Sequence, residues 1–229
     1  EVQFDIANIR IYSIDIETSS ENGFPNVNNP IESVLLITIQ NSVTKEIITF
    51  GCGDFVDYKP KHFYTKCKDE YDLLSKFLAF WHSEYPNIVT GWNIDTFDIP
   101  YLIRRMEKVL GPEMTKRLSP WNVINDKSFE RAGKEILAFD ILGVAILDYI
   151  DLYKKFTYSA QESYKLDYIA KVELGKQKLE NPYDTFREFY TNDWQKFVEY
   201  NVVDTQLVDQ LEDKMRLIEL IITMAYDAK

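Results

Sequence analysis

The apolar positions of Asn8 to Thr18 (NIRIYSIDIET) alternate with period two, which predicts a strand. One face of that strand carries Ile9, Ile11, Ser13, Asp15 and Glu17, and the other carries Ile14 and Ile16. Val34 to Gln40 and Glu46 to Phe50 follow as further strands across a polar turn at Asn41 to Lys45, so the chain opens as an antiparallel meander. From Asp69 the period becomes helical. Leu73, Leu74, Phe77, Leu78, Phe80 and Trp81 form one apolar stripe, and Pro86 ends it. A short strand at Asn87 to Gly91 and a helix from Asp98 to Leu110 come next, the latter stopped by Gly111-Pro112.

The stretch 112–139 reads as an insertion, in which Ser128 to Phe139 is expected to form a β-hairpin turning at Ala132-Gly133. Helices are expected at Asp140 to Phe156, Leu166 to Val172, Trp194 to Val203 and Asp204 to Met224. A meander joined to a βα crossover predicts a mixed sheet flanked by helices. The expected class is therefore α/β with a ribonuclease H-like fold, a mixed five-stranded sheet and a hairpin insertion, spanning 1–229 as one domain.

Composition narrows the function classes. With 45% hydrophobic and 14% aromatic residues the chain can bury a full core, so disorder is excluded. The apolar run Leu217 to Met224 contains Glu219 and is too short to span a bilayer, so no membrane association is expected. The start at Glu1 lacks a basic segment followed by an apolar run, so no signal peptide is expected, and a start without Met is read as that of an excised fragment. Cys52 and Cys67 have no CxxC neighbour or nearby histidines, which argues against zinc or a disulfide framework and suits the reducing cytoplasm. The net charge of −11 opposes broad attachment to a phosphate backbone unless cations invert the sign locally or other domains supply a basic surface.

Three acidic signals are spread along the chain. Asp15 and Glu17 lie two apart on a strand, so their carboxylates share a face about 7 Å apart at Cα; an exposed strand end explains the pair equally well. Asp98, in GWNIDTFDIPY, sits where a strand turns into a helix, and a helix N-cap is its plain alternative. Asp95 competes with it and is read as a loop residue or cap. Tyr200 and Asp204, in YNVVD, stand one helical turn apart on one face. If these groups converge, carboxylates without His or Cys select hard ions, Mg²⁺ or Mn²⁺ rather than Zn²⁺. Two such ions can activate a water and stabilise a leaving oxygen on phosphorus. Tyr200 is the candidate to orient that water.

SIDIET, NIDTFD (Asn93 to Asp98) and YNVVD, in this order and spacing, resemble the three exonuclease motifs of family B DNA polymerases, in the tyrosine branch of the DEDD exonuclease superfamily. ILDYIDLYKKF (Ile146 to Phe156), the turn Gly23-Phe24-Pro25 and the tail MAYDAK make the resemblance closest to the polymerases of T-even-like phages, over nearly the whole chain. The resemblance implies a 3′→5′ proofreading exonuclease with Asp15, Glu17, Asp98 and Asp204 as ligands of two divalent ions and Tyr200 as the water-positioning group. It also implies that Phe24 stacks or wedges at the terminal bases, although a turn aromatic folded onto the core is the bland reading. Asn93 and Phe97 are expected to line the strand-binding cleft, and Lys176, in GKQK, to reach the scissile phosphate or the water.

The implied partners are a single-stranded DNA 3′ end or a primer-template, and the polymerase domains of the same parent chain, with the domain itself monomeric. The implied setting is the cytoplasm of an infected host cell. Polymerase motifs of the S-L-Y-P-S and D-T-D type are absent from these residues, so nucleotide addition is not assigned to them. A free-standing DEDD exonuclease acting on DNA or RNA ends, and a non-catalytic single-strand-binding module, are the alternative readings.

Overall fold

The computed structural model describes residues 6–57, 59–131 and 133–228. The strands of the meander are β1 (Ile11–Thr18), β2 (Val34–Asn41) and β3 (Ile47–Gly51), followed by β4 (His62–Lys66). Next come α1 (Glu70–Glu84), β5 (Ile88–Gly91), α2 (Asp98–Val109) and the single turn α3 (Pro112–Thr115). The hairpin β6 (Ile124–Arg131) and β7 (Lys134–Ile141) leads to β8 (Ala145–Asp148) and α4 (Tyr149–Phe156). The chain finishes with α5 (Leu166–Leu174), α6 (Phe186–Asn192), α7 (Trp194–Met215) and α8 (Leu217–Asp227).

The main sheet has six strands in the order β4-β3-β2-β1-β5-β8, one more than the five expected. The meander is antiparallel, as anticipated, with β1 on β2 and β2 on β3. Parallel pairs add β4 to β3, β5 to β1 and β8 to β5. β1 therefore lies inside the sheet with a partner on each side. Its alternation sends Tyr12, Ile14 and Ile16 into a core shared with α1 and α2 residues such as Phe77, Trp81 and Leu102. Ile11, on the opposite face, packs with Tyr149, Tyr153, Leu207 and Leu211 from the later helices. That second face is where α7 crosses the sheet.

Three expectations are corrected, and one strand was not expected. The helix expected over Asp140 to Phe156 is the end of β7, then β8, then α4. Gly143 takes φ +93°, a left-handed conformation that breaks the run, and Ala145 to Asp148 pairs with Ile88 to Gly91. A short apolar run does not distinguish a buried strand from a helix, and here the available sheet edge decides it. The hairpin is longer than Ser128 to Phe139, pairing Ile124 with Ile141 at its base; of its expected turn, Ala132 lies outside the described residues, and Gly133 has φ +75°. The two terminal helices divide at Arg216, with φ +53°, rather than between Val203 and Asp204. β4 went unrecognised because HFYTK buries only one of its five residues fully, leaving little alternation to read.

Candidate active site

β1 presents the first two acids from the face crossed by α7. Asn201, fully buried on α7, donates from Nδ2 to Asp15 Oδ2 at 2.6 Å. Asp204, one turn further along the same helix, completes a triad: one oxygen from each of Asp15, Glu17 and Asp204 lies within 4.8 Å of the others. Asp204, distant in sequence from Asp15 and Glu17, meets them because α7 lies across the strand that carries the two.

Asp98 stands beside this triad rather than within it. It is the first residue of α2, after Phe97 at the N-cap, so the N-cap alternative does not hold. Its Oδ1 accepts the amide of Ile16 at 3.1 Å, the peptide N–H between the two acids of β1. Asp95 lies outside the cluster. Its amide donates to Asp148 Oδ2 at 3.1 Å, and its carboxylate is 3.9 Å from Lys127 on the hairpin.

Such crowding has an electrostatic cost. Burial raises the pKa of Asp15 well above the usual carboxylate range, and Asp98, Glu17 and Asp204 raise it further, while Lys178 opposes them. Glu17 is pushed up to about 8, by burial and then by Asp204, and Asp98 to about 7, chiefly by burial against the relief of the Ile16 amide. Asp204 is raised by burial, and the pairing with Lys178 holds it back. Its Oδ1 is buried without a hydrogen-bond partner. A crowded carboxylate set of this kind, half-buried to buried and with one oxygen of Asp204 unpartnered, fits a hard divalent cation, which would supply the missing charge and ligand contacts.

Tyr200 and Lys178 close one side of the cluster. Lys178 Nζ pairs with Asp204 Oδ2, lies 3.4 Å from the Tyr200 hydroxyl and sits 5.1 Å from the centre of its ring. Burial pushes the Tyr200 phenol up to about 12, so it remains a hydrogen-bond donor at neutral pH. The lysine expectation is corrected here: Lys176 is exposed and its Nζ donates to Gln210 on α7, while Lys178, two residues on, enters the cluster. The GKQK sequence offers two lysines. The distinguishing feature is the anchor of the Lys178 amide on Asp167 Oδ1 at 2.9 Å, which residue types alone did not reveal. Asn201 gives no signal in the sequence, since a neutral amide on a helix is marked as part of the site only by its contact with Asp15.

The substrate-side candidates surround two cavities. Phe24 is 89% exposed, with its ring 6.0 Å from that of Phe97, so it is not a turn aromatic folded onto the core. Phe97 in turn stacks on Tyr101 at 5.5 Å. Phe24, Pro25, Phe97, Phe186, Ile16 and Glu17 line an almost wholly apolar cavity of about 410 Å³. Asn93, with φ +68°, is held by its amide on Asp148 Oδ1 at 2.9 Å. It lines a second cavity of about 690 Å³ together with Asp15, Trp92, Lys178 and Asp204. The two cavities meet at Phe24, which borders both.

Comparison with known proteins gives the arrangement a family. Residues 1–169 match the family described as DNA polymerase family B, exonuclease domain, a span that includes Asp15, Glu17 and Asp98. The chain is 34% identical to the DNA-directed DNA polymerase of Escherichia phage RB69 over its whole length, and 36% identical to that of Enterobacteria phage T4 over 72% of it. It is 30% identical, over 89% of its length, to the DNA polymerase catalytic subunit of Human herpesvirus 7. The matched regions make up 28%, 18% and 21% of those polymerases, so the chain spans less than a third of each. Divalent-metal use follows from this family, and the carboxylate cluster offers the donors for it. The chain belongs to the exonuclease-domain family of family B DNA polymerases, and is a 3′→5′ exonuclease domain.

Proposed function

We propose that this domain removes the terminal nucleotide from single-stranded or mispaired DNA 3′ ends, as the proofreading part of a viral family B DNA polymerase, using two divalent ions, Mg²⁺ or Mn²⁺. The observation that supports this reading best is the meeting of Asp15, Glu17 and Asp204 within 4.8 Å, with Asp98 alongside. These four carboxylates would hold the ions. When bound, the ions neutralise charge on the phosphate and favour ionisation of the attacking water.

The protein's own groups then have distinct tasks. Tyr200 orients the water by a hydrogen bond, and Lys178, already beside that hydroxyl, carries positive charge towards the reacting phosphate. The water oxygen attacks phosphorus, the bond to the 3′ oxygen of the penultimate nucleotide breaks, and that oxygen takes up a proton. A nucleoside 5′-monophosphate leaves. The apolar cavity beside Phe24 offers surface to a base without selecting among bases, because stacking tolerates any of them. That suits a site which must accept every mispaired end.

The net charge of −11 leaves backbone attraction to the rest of the parent polymerase, whose domains are the expected partners inside the infected host cell. The domain is expected to act as a monomer within that chain.

The reading is tested with a 5′-labelled single-stranded oligonucleotide and Mg²⁺ or Mn²⁺. The wild-type domain should produce a ladder shortening from the 3′ end, and the double variant Asp15→Ala/Glu17→Ala should not. Equal digestion by both would reject the assignment.

A further inference from the structure

The segment between β1 and β2 carries Phe24 to the mouth of the site. Its neck is closed by backbone and side-chain bonds: the Ser19 amide donates to the Ser33 carbonyl at 2.8 Å, and the Ser33 amide to Ser19 Oγ at 3.0 Å. Inside this neck lies Glu32, a carboxylate only 3% exposed. A buried carboxylate is costly unless its lone pairs are filled. Here they are filled by donors from a single short stretch: Ser19 Oγ, the amides of Glu21 at 2.9 Å and Asn22 at 2.7 Å, and Asn22 Nδ2 at 3.0 Å.

The far side of the same residue is fixed to α2. The Tyr101 hydroxyl donates to the Glu32 carbonyl at 2.7 Å, and Arg105 donates to the carbonyls of Pro30 and Ile31 at 3.0 and 3.1 Å. Residues 19–22 are thus tied through one side chain to the helix that begins with Asp98. Gly23, next in the chain, has φ +101°, a conformation open to glycine and strained for other residues. It turns the chain so that Phe24 projects outward at 89% exposure. Phe24 itself is covered by little, so its direction depends on the backbone on either side of it.

We infer that Glu32 is the positioning residue of the Phe24 turn: by binding the amides of Glu21 and Asn22 it fixes the aromatic ring over the apolar cavity, and so sets the affinity of the site for an unpaired 3′ end. The inference rests on the exonuclease reading above and adds the group that organises its substrate side. Burial acts to raise the Glu32 pKa, but the hydrogen bonds of Ser19, Glu21 and Asn22 outweigh it and hold the group at about 2, consistent with a permanently charged anchor. The Glu32 carboxylate bonds to Ser19, Glu21 and Asn22 rather than to the acids of the cluster, so its removal separates binding from chemistry.

The test is Glu32→Gln, nearly the same shape but with an NH₂ facing N–H donors. Its KM for a single-stranded 3′ end should rise about tenfold, with kcat within about twofold and Mn²⁺ affinity unchanged. In a Phe24→Ala background the same substitution should add less than about twofold, because the ring it positions is gone. Amide exchange at Glu21 and Asn22, read by NMR without substrate, should quicken in Glu32→Gln. Should that variant fail to fold, Ser19→Ala, which removes one of the four donors, gives the same split at smaller size. A fall in kcat with KM unchanged, or a full tenfold effect in the Phe24→Ala background, overturns the inference. Quickened exchange with unaltered KM also overturns it while leaving the exonuclease reading intact. A wild-type domain without nuclease activity instead removes that reading, and is distinguished by the exchange result.

Discussion

Replacing Glu17 with Gln should make the metal-free domain more stable, and increasingly so as pH rises. The carboxyl ionises at its ordinary 4.5 in the unfolded chain and at about 8 in the folded one. Across that interval the unfolded chain binds fewer protons than the folded one, so raising pH favours unfolding. Working the two values through the linkage relation gives a penalty from Glu17 that is negligible near pH 4, about 2 kcal/mol near pH 6 and about 5 near pH 9. Glutamine cannot ionise, so Glu17→Gln removes this penalty while keeping the shape. For a chain of this size about 5 kcal/mol corresponds to at least about 10 °C in Tm. The assay is thermal unfolding of both proteins in chelator, followed by circular dichroism between pH 4 and pH 9. Adding Mn²⁺ at about a hundred times its Kd should then stabilise the wild type by about 2.7 kcal/mol and the variant by less. A Tm difference that stays constant with pH, or a variant that melts below the wild type near pH 9, refutes the reasoning.

Lys178→Met should remove the cation that restrains Asp15, Glu17 and Asp204, so the acidic limb of the pH–rate profile should move up by about one pH unit and the rate fall by about 10- to 100-fold; an unmoved limb contradicts this role. Arg105→Met should cost about 3–5 kcal/mol in urea unfolding, because it strands Glu70, its ion-pair partner, with only 15% of that side chain exposed. A loss under about 1 kcal/mol would mean that the Val34 amide, which also donates to Glu70, suffices to hold that carboxylate.

How far the sequence could be read depended on what each signal recorded. Period-two alternation in NIRIYSIDIET carried the strand, its two faces and the acids on the functional one, because burial on one side imposes that pattern directly. The helical stripe from Leu73 to Trp81 was equally legible, and Asp69, whose side chain accepts the Asp72 amide, marked its start. β8 was not legible. Its apolar residues satisfy either period, and only pairing with β5, about 57 residues earlier, selects the strand. For the candidate site, residue type pointed to the acids and Tyr200, of which Asp15, Glu17 and Asp204 lie together, but not to the groups bonded to them. Asn201 and Lys178 are chosen by where α7 and the loop after α5 lie in space. Lys176 and Lys178 have the same chemistry, and only tertiary contacts separate them.

The position of β1 has a consequence for how the molecule comes apart. β1 is bonded to β5 at Ile11 to Ser13 and to β2 from Tyr12 through Thr18, so the strand that carries Asp15 and Glu17 is released only when β2 parts from it along that whole length. The hairpin of β6 and β7 forms a separate two-stranded sheet, so parting its strands breaks no ladder bond of the sheet that carries the carboxylates. Opening of the hairpin therefore leaves the strands beneath the acidic cluster paired, and the cluster keeps its shape for as long as β1 stays on β2.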